Sequence, residues 1–488
     1  MRKKLLNIEA LLGKFINPMS LHSEYQIRWK NYKCFLDTEW ITIKPITILL
    51  GNNNSGKTSF ISPLLLMNQT LSSRDSNSPL VIKGNLYDGG SFKDISLNFD
   101  TDNDIFFGFR YHMHEKEGRI KKIGTYSPGA FEVTIGRNKK DNTDELQVKR
   151  ETIYDLFLRE YLSLYQKNNN EYALSGLEIN ENEKNAIKKI IPINFLFTPN
   201  TLLNAFSDYM EALEKEKKQN KKATVDVAAE EQSTSVRFSK GFEDLLRASS
   251  SNFSQVRNVL MNLSYVGPLR EIPHRYYEIS DEDCSSVGQK GENTAALVKR
   301  HFNKINQDLN FWIKRFEFGD KLLLDNLSSN LYSLQFVTNK NKSAINIANC
   351  GFGASQILPL IVQALVSDRD NLTIAEQPEI HLNPRLQGIL AELFVFMAKR
   401  DQRIIVETHS EHLLLRLRTL IAKKEISPDL VAVYFIEKKE GYSQIRAIPI
   451  DENGRIASEE WPKDFFEDTL RETLQLASEQ AKNKKIKK

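Results

Sequence analysis

The sequence has little of what would place it in several protein classes. Its 488 residues contain three cysteines, Cys34, Cys284 and Cys350, odd in number and too widely separated for a disulfide framework or a zinc site. That scarcity agrees with a reducing compartment, and a cytoplasmic location is expected. No apolar run approaches the roughly 18 residues needed to span a bilayer, so no membrane is expected among the partners. The opening Met1-Arg-Lys-Lys-Leu-Leu-Asn-Ile8 has the basic start of a signal peptide. Asn7, Glu9 and Lys14 interrupt any apolar region, however, and no small-residue cleavage site follows. A strong charge imbalance is also missing: a net charge of +4 permits contact with DNA without requiring it. Long heptad runs and internal repeats are absent as well. What remains is the balance of a globular chain, 40% hydrophobic and 27% charged, long enough for two or three domains or for one domain with a large insertion.

The stretch Gly51-Asn-Asn-Asn-Ser-Gly-Lys-Thr58 satisfies the phosphate-binding pattern G-x-x-x-x-G-K-[ST] at every fixed position. Ile46 to Leu50 reads as a buried strand running into it, and Ser59 to Gln69 as a helix leaving it. Gly51 and Gly56 let the backbone wrap so that successive N–H groups point inward, and the helix N-terminus adds partial positive charge. Lys57 is expected to reach the β- and γ-phosphates of a nucleotide, and the Thr58 hydroxyl to complete a Mg²⁺ shell.

Around this loop the chain divides into three expected regions. Residues 1–110 form an N-terminal β lobe with the phosphate loop, 111–260 a β extension and helical insertion, and 261–488 the rest of the core. An amphipathic helix is expected through Leu5, Ile8, Leu12 and Phe15. Strands are expected at Tyr25–Trp29, Glu39–Lys44, Leu80–Ile82, Ile95–Phe99, Ile105–Tyr111 and Phe131–Ile135, giving a mostly antiparallel lobe. Ile153–Leu164 and Leu202–Leu213 have helical periodicity, and a mobile loop is expected near 215–235. Gly267-Pro-Leu-Arg-Glu-Ile-Pro273 is followed by His274, Arg275, Tyr276 and Tyr277. It reads equally as a contact for nucleotide or nucleic acid or as a Gly-Pro turn with surface arginines. The basic end, Lys482 to Lys488, reads as a solvated terminus.

Three further stretches narrow the class. Asn349-Cys-Gly-Phe-Gly-Ala-Ser-Gln-Ile-Leu-Pro359 is a Gly-rich entry to an apolar helix. Ser355 is the expected N-cap and Pro359 falls in the first turn, which makes a second anion site. One nucleotide needs one phosphate nest, so the second suggests a nucleotide held by another subunit. Leu372-Thr-Ile-Ala-Glu-Gln-Pro-Glu-Ile-His-Leu-Asn-Pro384 is a buried strand ending in carboxylates, where Glu376 takes the place of a Mg²⁺-coordinating acid. Arg403-Ile-Ile-Val-Glu-Thr-His-Ser410 presents His409 just past another buried strand, within reach of a γ-phosphate.

The order of these motifs resembles the ABC-type ATPases of the SMC-like branch. In particular it is similar to the bacterial anti-phage defence ATPases that include PtuA of Septu and retron systems, with AriA of PARIS and the OLD family as more distant relatives. Tyr265-Val-Gly-Pro-Leu-Arg270 and Trp461-Pro also look like that group. The resemblance implies an α/β fold, an ABC-ATPase-type P-loop head of mixed sheet and helices with an antiparallel β lobe and a helical insertion. It makes Gly51 to Thr58 the Walker A loop, so that Asn52, Asn54, Ser55 and the adjoining Ser59 surround ATP with Gly51, Gly56, Lys57 and Thr58. Ser355 and Gln356 belong to a signature that closes on a partner's ATP, and Mg²⁺ lies between Thr58 and Glu376. His381 to Pro384 form the D-loop, His409 is the switch histidine, and Gln69 is a Q-loop candidate that equally fits a core position.

One departure bears on rate. The residue after the Walker B acid is a water-activating glutamate in most ABC ATPases, and here it is Gln377. An amide orients water but does not accept its proton. Either Glu379 or His409 substitutes as base, or hydrolysis is slow and ATP serves as a dimer clamp; slow turnover is the favoured expectation. A GTPase reading prompted by Asn138-Lys-Lys-Asp141 fails on order, since Asp451-Glu-Asn-Gly454 lies far downstream. A fused OLD-type nuclease fails because no D-x-D pair follows His409. The expected function is that of an ATP-dependent sensor and scaffold, paired with itself and holding an effector such as an HNH nuclease. The alternative is an SMC-like ATPase that clamps DNA itself.

Overall fold

Strands form in this chain wherever apolar residues alternate or run unbroken, and the pairing partners decide which of them join one sheet. The computed structural model describes residues 25–75, 77–111, 129–138, 145–168, 171–221, 238–279, 284–338, 343–457 and 460. The expected N-terminal helix, most of the 215–235 loop, the Trp461-Pro stretch and the basic end lie outside the described residues. The chain forms two compact units, one of Met1–Thr42 and Ser62–Asn262, the other of Ile43–Ile61 and Leu263–Lys488.

The first unit is built on an eight-stranded antiparallel sheet. Its strands are β1 (Tyr25–Tyr32), β2 (Phe35–Asp37), β3 (Ile41–Ile43), β5 (Ile105–Tyr111), β6 (Ala130–Arg137), β7 (Leu146–Tyr154), β8 (Glu160–Asn168) and β9 (Glu171–Ser175). The order is β2-β1-β5-β6-β7-β8-β9, with β3 also paired to β1. Alternation in β1 buries Tyr25, Ile27 and Trp29, and the Trp29 ring meets Phe107 and Phe109 edge-on at 5.6 and 5.8 Å.

Three sequence expectations are corrected in this unit. Ile153–Leu164 is not helical. It belongs to β7 and β8, joined by a turn in which the Asp155 carboxylate accepts the N–H groups of Phe157 and Arg159. Its apolar residues fit both periods, and pairing with β6 and β9 chose the strand. Ile95–Phe99 is the end of α2 (Phe92–Ile95) followed by a 3-10 turn, because Ser91 and Asp94 form a capping box that starts a helix. Leu80–Ile82 joins no sheet. The expected helix at Leu202–Leu213 is present in α4 (Pro199–Lys221), with α3 (Glu181–Lys188) before it and α5 (Lys240–Met261) after it.

The second unit holds a six-stranded sheet of order β10 (Leu263–Val266), β15 (Leu372–Glu376), β16 (Arg403–Glu407), β4 (Ile46–Gly51), β17 (Val431–Lys439) and β18 (Tyr442–Ala447). All neighbours are parallel except β17 and β18. β4, β15 and β16 are buried at every position, as a parallel sheet covered on both faces requires. The covering helices are α6 (Thr294–Arg315), α7 (Phe352–Val366), α8 (Pro384–Lys399) and α9 (Glu411–Ala422), whose apolar faces share one core with the strands. A small antiparallel sheet of β11 (Tyr277–Glu278), β12 (Lys321–Asn326), β13 (Leu331–Thr338) and β14 (Ser343–Asn346) joins that core through Leu322, Leu334 and Phe336. Helix α1 (Lys57–Ser72) leaves the carboxyl end of β4, and the chain passes from one unit to the other within it. Glu376 ends β15 directly opposite Glu407, which ends β16 and pairs in turn with Leu49 of β4. The carboxyl ends of three parallel strands thus converge where ligands bind in open α/β sheets.

Candidate nucleotide site

The loop between β4 and α1 has the backbone that its glycines were expected to allow. Gly51 has φ +150 and Gly56 φ +106, and a Cβ at Gly51 would collide with the carbonyl oxygen of Ile436 on β17. Asn54 takes the left-handed region at φ 58. Lys57 is buried, and its Nζ donates to the carbonyls of Gly51 and Asn52 at 2.9 Å each. Burial lowers its pKa, opposed by the charges of Glu407 and Glu379. The Ser55 hydroxyl is buried without a hydrogen-bond partner. Asn52, Asn54 and Thr58 are exposed and Ser59 half-buried. A buried ammonium held only by carbonyls, beside an unpartnered hydroxyl in a curled backbone, fits the phosphates of a nucleotide.

Two carboxylates stand at the adjoining strand ends. The Thr58 hydroxyl donates to Glu407 Oε2 at 3.0 Å, and the Gln377 amide also donates to Glu407. Glu376 accepts the Tyr265 hydroxyl on Oε1 at 2.9 Å, and its main-chain carbonyl accepts Arg270 Nη2 at 3.0 Å. Burial and then the charge of Glu407 push the Glu376 pKa up to about 7; burial raises Glu407 as well. Among the described residues no three His, Cys, Asp or Glu side chains form a metal site by themselves. Two mutually repelling carboxylates beside a P-loop hydroxyl are hard oxygen donors that a divalent cation would relieve, so the set fits Mg²⁺ shared with phosphates.

Sequence reasoning chose Glu376 as the acid of this site and passed over Glu407, which lies one strand nearer the P-loop. The available signal was the position of Glu407 at the end of its own buried strand, two residues before His409. Gln377 holds a left-handed backbone at φ 44 and donates its N–H to the Glu407 carbonyl at 2.7 Å. Glu379 is buried, its pKa is raised by that burial, and it accepts the His409 N–H at 2.7 Å. Burial and the nearby Lys57 charge lower the His409 pKa, which keeps its imidazole neutral near pH 7.

The helix start in the second half differs from expectation. Helix α7 begins at Phe352 with Gly351 as its N-cap, so Ser355 is not a cap; its hydroxyl turns back to the Phe352 carbonyl at 2.8 Å. Pro359 consequently lies inside the helix instead of in its first turn, which Gly351 made possible by entering the helix earlier. Gln356 is buried and its Oε1 accepts Arg270 Nη1 at 3.5 Å. Arg270 is itself buried, so the surface-arginine reading of its loop does not hold there. Asn383 caps α8 and Pro384 opens it, and the His381 ring lies 5.5 Å from Phe352. Gln69 belongs to the first unit, where its amide holds the backbone of Val81 and Tyr87.

The last two strands of the sheet contribute a contact that the sequence did not disclose. Ser443 of β18 donates its buried hydroxyl to the Ser55 carbonyl at 2.6 Å, bracing the P-loop from a residue 388 positions away. Ser443→Ala is expected to weaken ATP binding about fivefold, the worth of one net hydrogen bond, with little change in thermal stability. Isothermal titration of both proteins tests this, and equal affinities would remove Ser443 from the site.

The strand–loop–helix geometry, the buried lysine and the converging acids define a P-loop nucleotide-binding protein. The family model described as AAA ATPase domain matches residues 25–414, and the chain belongs to that family. A second model, described as a protein of unknown function, matches residues 426–476. The part of that segment from Val431 to Ala447 is the β17–β18 hairpin of the P-loop sheet. No curated protein matches. Among solved structures the chain is similar to the SMC head domain from Thermotoga maritima, at 10% identity and TM-score 0.35, over 87% of this chain and 98% of that one. It is also similar to the Smc head domain of Pyrococcus furiosus bound to the C-terminal domain of ScpA, at 13% identity and TM-score 0.38, over 87% and 96%. Among the described residues no helix is long and apolar enough to cross a membrane.

Proposed function

We propose that this P-loop ATPase binds MgATP, hydrolyses it slowly and pairs with a second copy across the nucleotide. In this reading it acts as the sensor and scaffold of an anti-phage system, controlling an associated effector nuclease. The observation that carries the slow-switch reading is Gln377. It follows Glu376 directly, and its side-chain amide is already donated to Glu407. The group beside the acid therefore orients but does not take a proton. Lys57 and the loop N–H groups would hold the phosphates, with Thr58, Glu376 and Glu407 around Mg²⁺. Bound Mg²⁺ supplies charge neutralisation on the phosphate oxygens. Glu379, anchored on the His409 N–H, is the remaining carboxylate on the same loop and the candidate base. The defence role rests on the motif resemblance.

The test is γ-phosphate release by purified protein with MgATP, beside Lys57→Ala and Glu379→Gln, with ATP-dependent pairing followed by sedimentation. Turnover below about one per second, with ATP still promoting pairing, is expected. Faster turnover that is lost in Glu379→Gln would overturn the slow switch and make Glu379 the base. Co-purification with the product of a neighbouring gene supports the effector-holding role. ATP-dependent, salt-sensitive DNA binding without any partner would instead favour the DNA-clamping alternative.

A further inference from the structure

Arg270 is 6% exposed, yet its hydrogen bonds go to the main-chain carbonyl of Glu376 and the side-chain amide of Gln356, and its Nε has no partner. Buried arginines are ordinarily paired with carboxylates, because desolvation of the charge must be offset. Here burial holds the guanidinium pKa down to about 10, still charged at neutral pH, with Glu379, Tyr265 and Glu376 acting on it only through space. The loop that carries it is fixed, since Gly267 and Glu271 donate N–H bonds to the carbonyls of Gln289 and Lys290 at 2.8 and 2.7 Å. A rigidly mounted, incompletely satisfied cation thus spans two different elements, the acidic end of β15 and the start of α7.

We propose that Arg270 is a positioning residue that couples the two nucleotide contacts one subunit makes. One is its own ATP, beside Glu376; the other is its partner's ATP, faced by the start of α7. The proposal rests on the paired-subunit reading above. A planar fork with several donors suits this task, because it holds a carbonyl and an amide at once in fixed relative geometry. Charge arriving beside Glu376 changes the field at the guanidinium and the position of the carbonyl it holds. The same rigid group passes that change to Gln356. Linkage makes the effect reciprocal, so docking of α7 on a partner's nucleotide tightens the subunit's own site.

The experiment compares full-length wild type with Arg270→Lys, which keeps the charge but not the fork. Nucleotide affinity is measured at protein concentrations too low for pairing, and then ATP-dependent pairing and the Hill coefficient of binding at higher ones. Arg270→Lys is expected to bind ATP as a monomer within about threefold of wild type, to pair about tenfold more weakly, and to lose cooperativity from a Hill coefficient near two to about one. The double variant with Gln356→Ala is expected to pair no more weakly than the worse single variant, since both remove one link. Arg270→Lys with unchanged pairing and cooperativity, or with monomer binding and pairing reduced in proportion, overturns the coupling. A wild-type protein that stays monomeric in saturating MgATP overturns the paired reading and this coupling with it.

Discussion

Glu407→Gln is expected to lower single-turnover ATP cleavage by about 10²–10³-fold while leaving affinity for ATP without Mg²⁺ within a fewfold of wild type. The amide oxygen of glutamine still accepts the Thr58 hydroxyl that Glu407 Oε2 accepts at 3.0 Å, so the local shape is kept. What disappears is the negative charge beside Lys57 and the Thr58 hydroxyl, the groups among which Mg²⁺ would be held. Without that hard anionic donor Thr58 and Glu376 would hold Mg²⁺ less tightly, and less charge neutralisation would be supplied to the phosphate oxygens. Measuring cleavage at several Mg²⁺ concentrations, with Glu376→Gln alongside, separates the two acids. The larger loss of Mg²⁺ dependence is expected in Glu407→Gln. Wild-type cleavage in that variant would return the metal role to Glu376 alone.

The second large effect is on stability and lies in the first unit. Glu151 of β7 is 1% exposed, and its carboxylate accepts the Phe197 N–H at 2.6 Å and the Asn252 amide at 3.3 Å. Burial outweighs these bonds and raises its pKa from 4.5 to about 8. The folded state therefore holds a proton that the unfolded chain releases above pH 4.5. Stability from this group is complete below that pH and is lost as pH rises towards 8, by up to about 5 kcal/mol across the window. Glu151→Gln keeps an acceptor for Phe197 and removes the titration. Urea midpoints should fall from pH 5 to pH 8.5 by clearly more in wild type than in the variant, in which the raised carboxylates Glu376, Glu379 and Glu407 still titrate. A fall as large in the variant as in wild type would show that Glu151 ionises normally in the folded protein.

Much of the site was legible before the fold because phosphate binding is a local property of the backbone. Gly51 and Gly56 stand where the loop needs φ values that other residues resist, and Lys57 and Thr58 follow at the helix start. Strands such as β4, β15 and β16 were equally legible, since unbroken runs of buried residues leave few alternatives. Ile153–Leu164 was not, because short apolar segments satisfy two periods and only neighbouring strands decide between them. The start of α7 was misplaced for a related reason: Gly351 and Ser355 are both acceptable caps by residue type, and the helix takes in Phe352, Gly353 and Ala354 ahead of Ser355.

The sequence by itself determined that this chain carries a phosphate loop between a buried strand and a helix, that carboxylates and a histidine end two more such strands, and that an amide stands beside one acid. Each of those properties is written in contiguous residues whose side chains and backbone preferences act locally. Only the tertiary structure decided that β16 inserts between β15 and β4, and with it that Glu407 lies on Thr58 while Glu376 is one strand removed. It also decided that Arg270 is buried between Glu376 and Gln356, and that Ser443 braces the P-loop. Strand order and burial arise from long-range packing of elements distant in sequence, which no local pattern encodes.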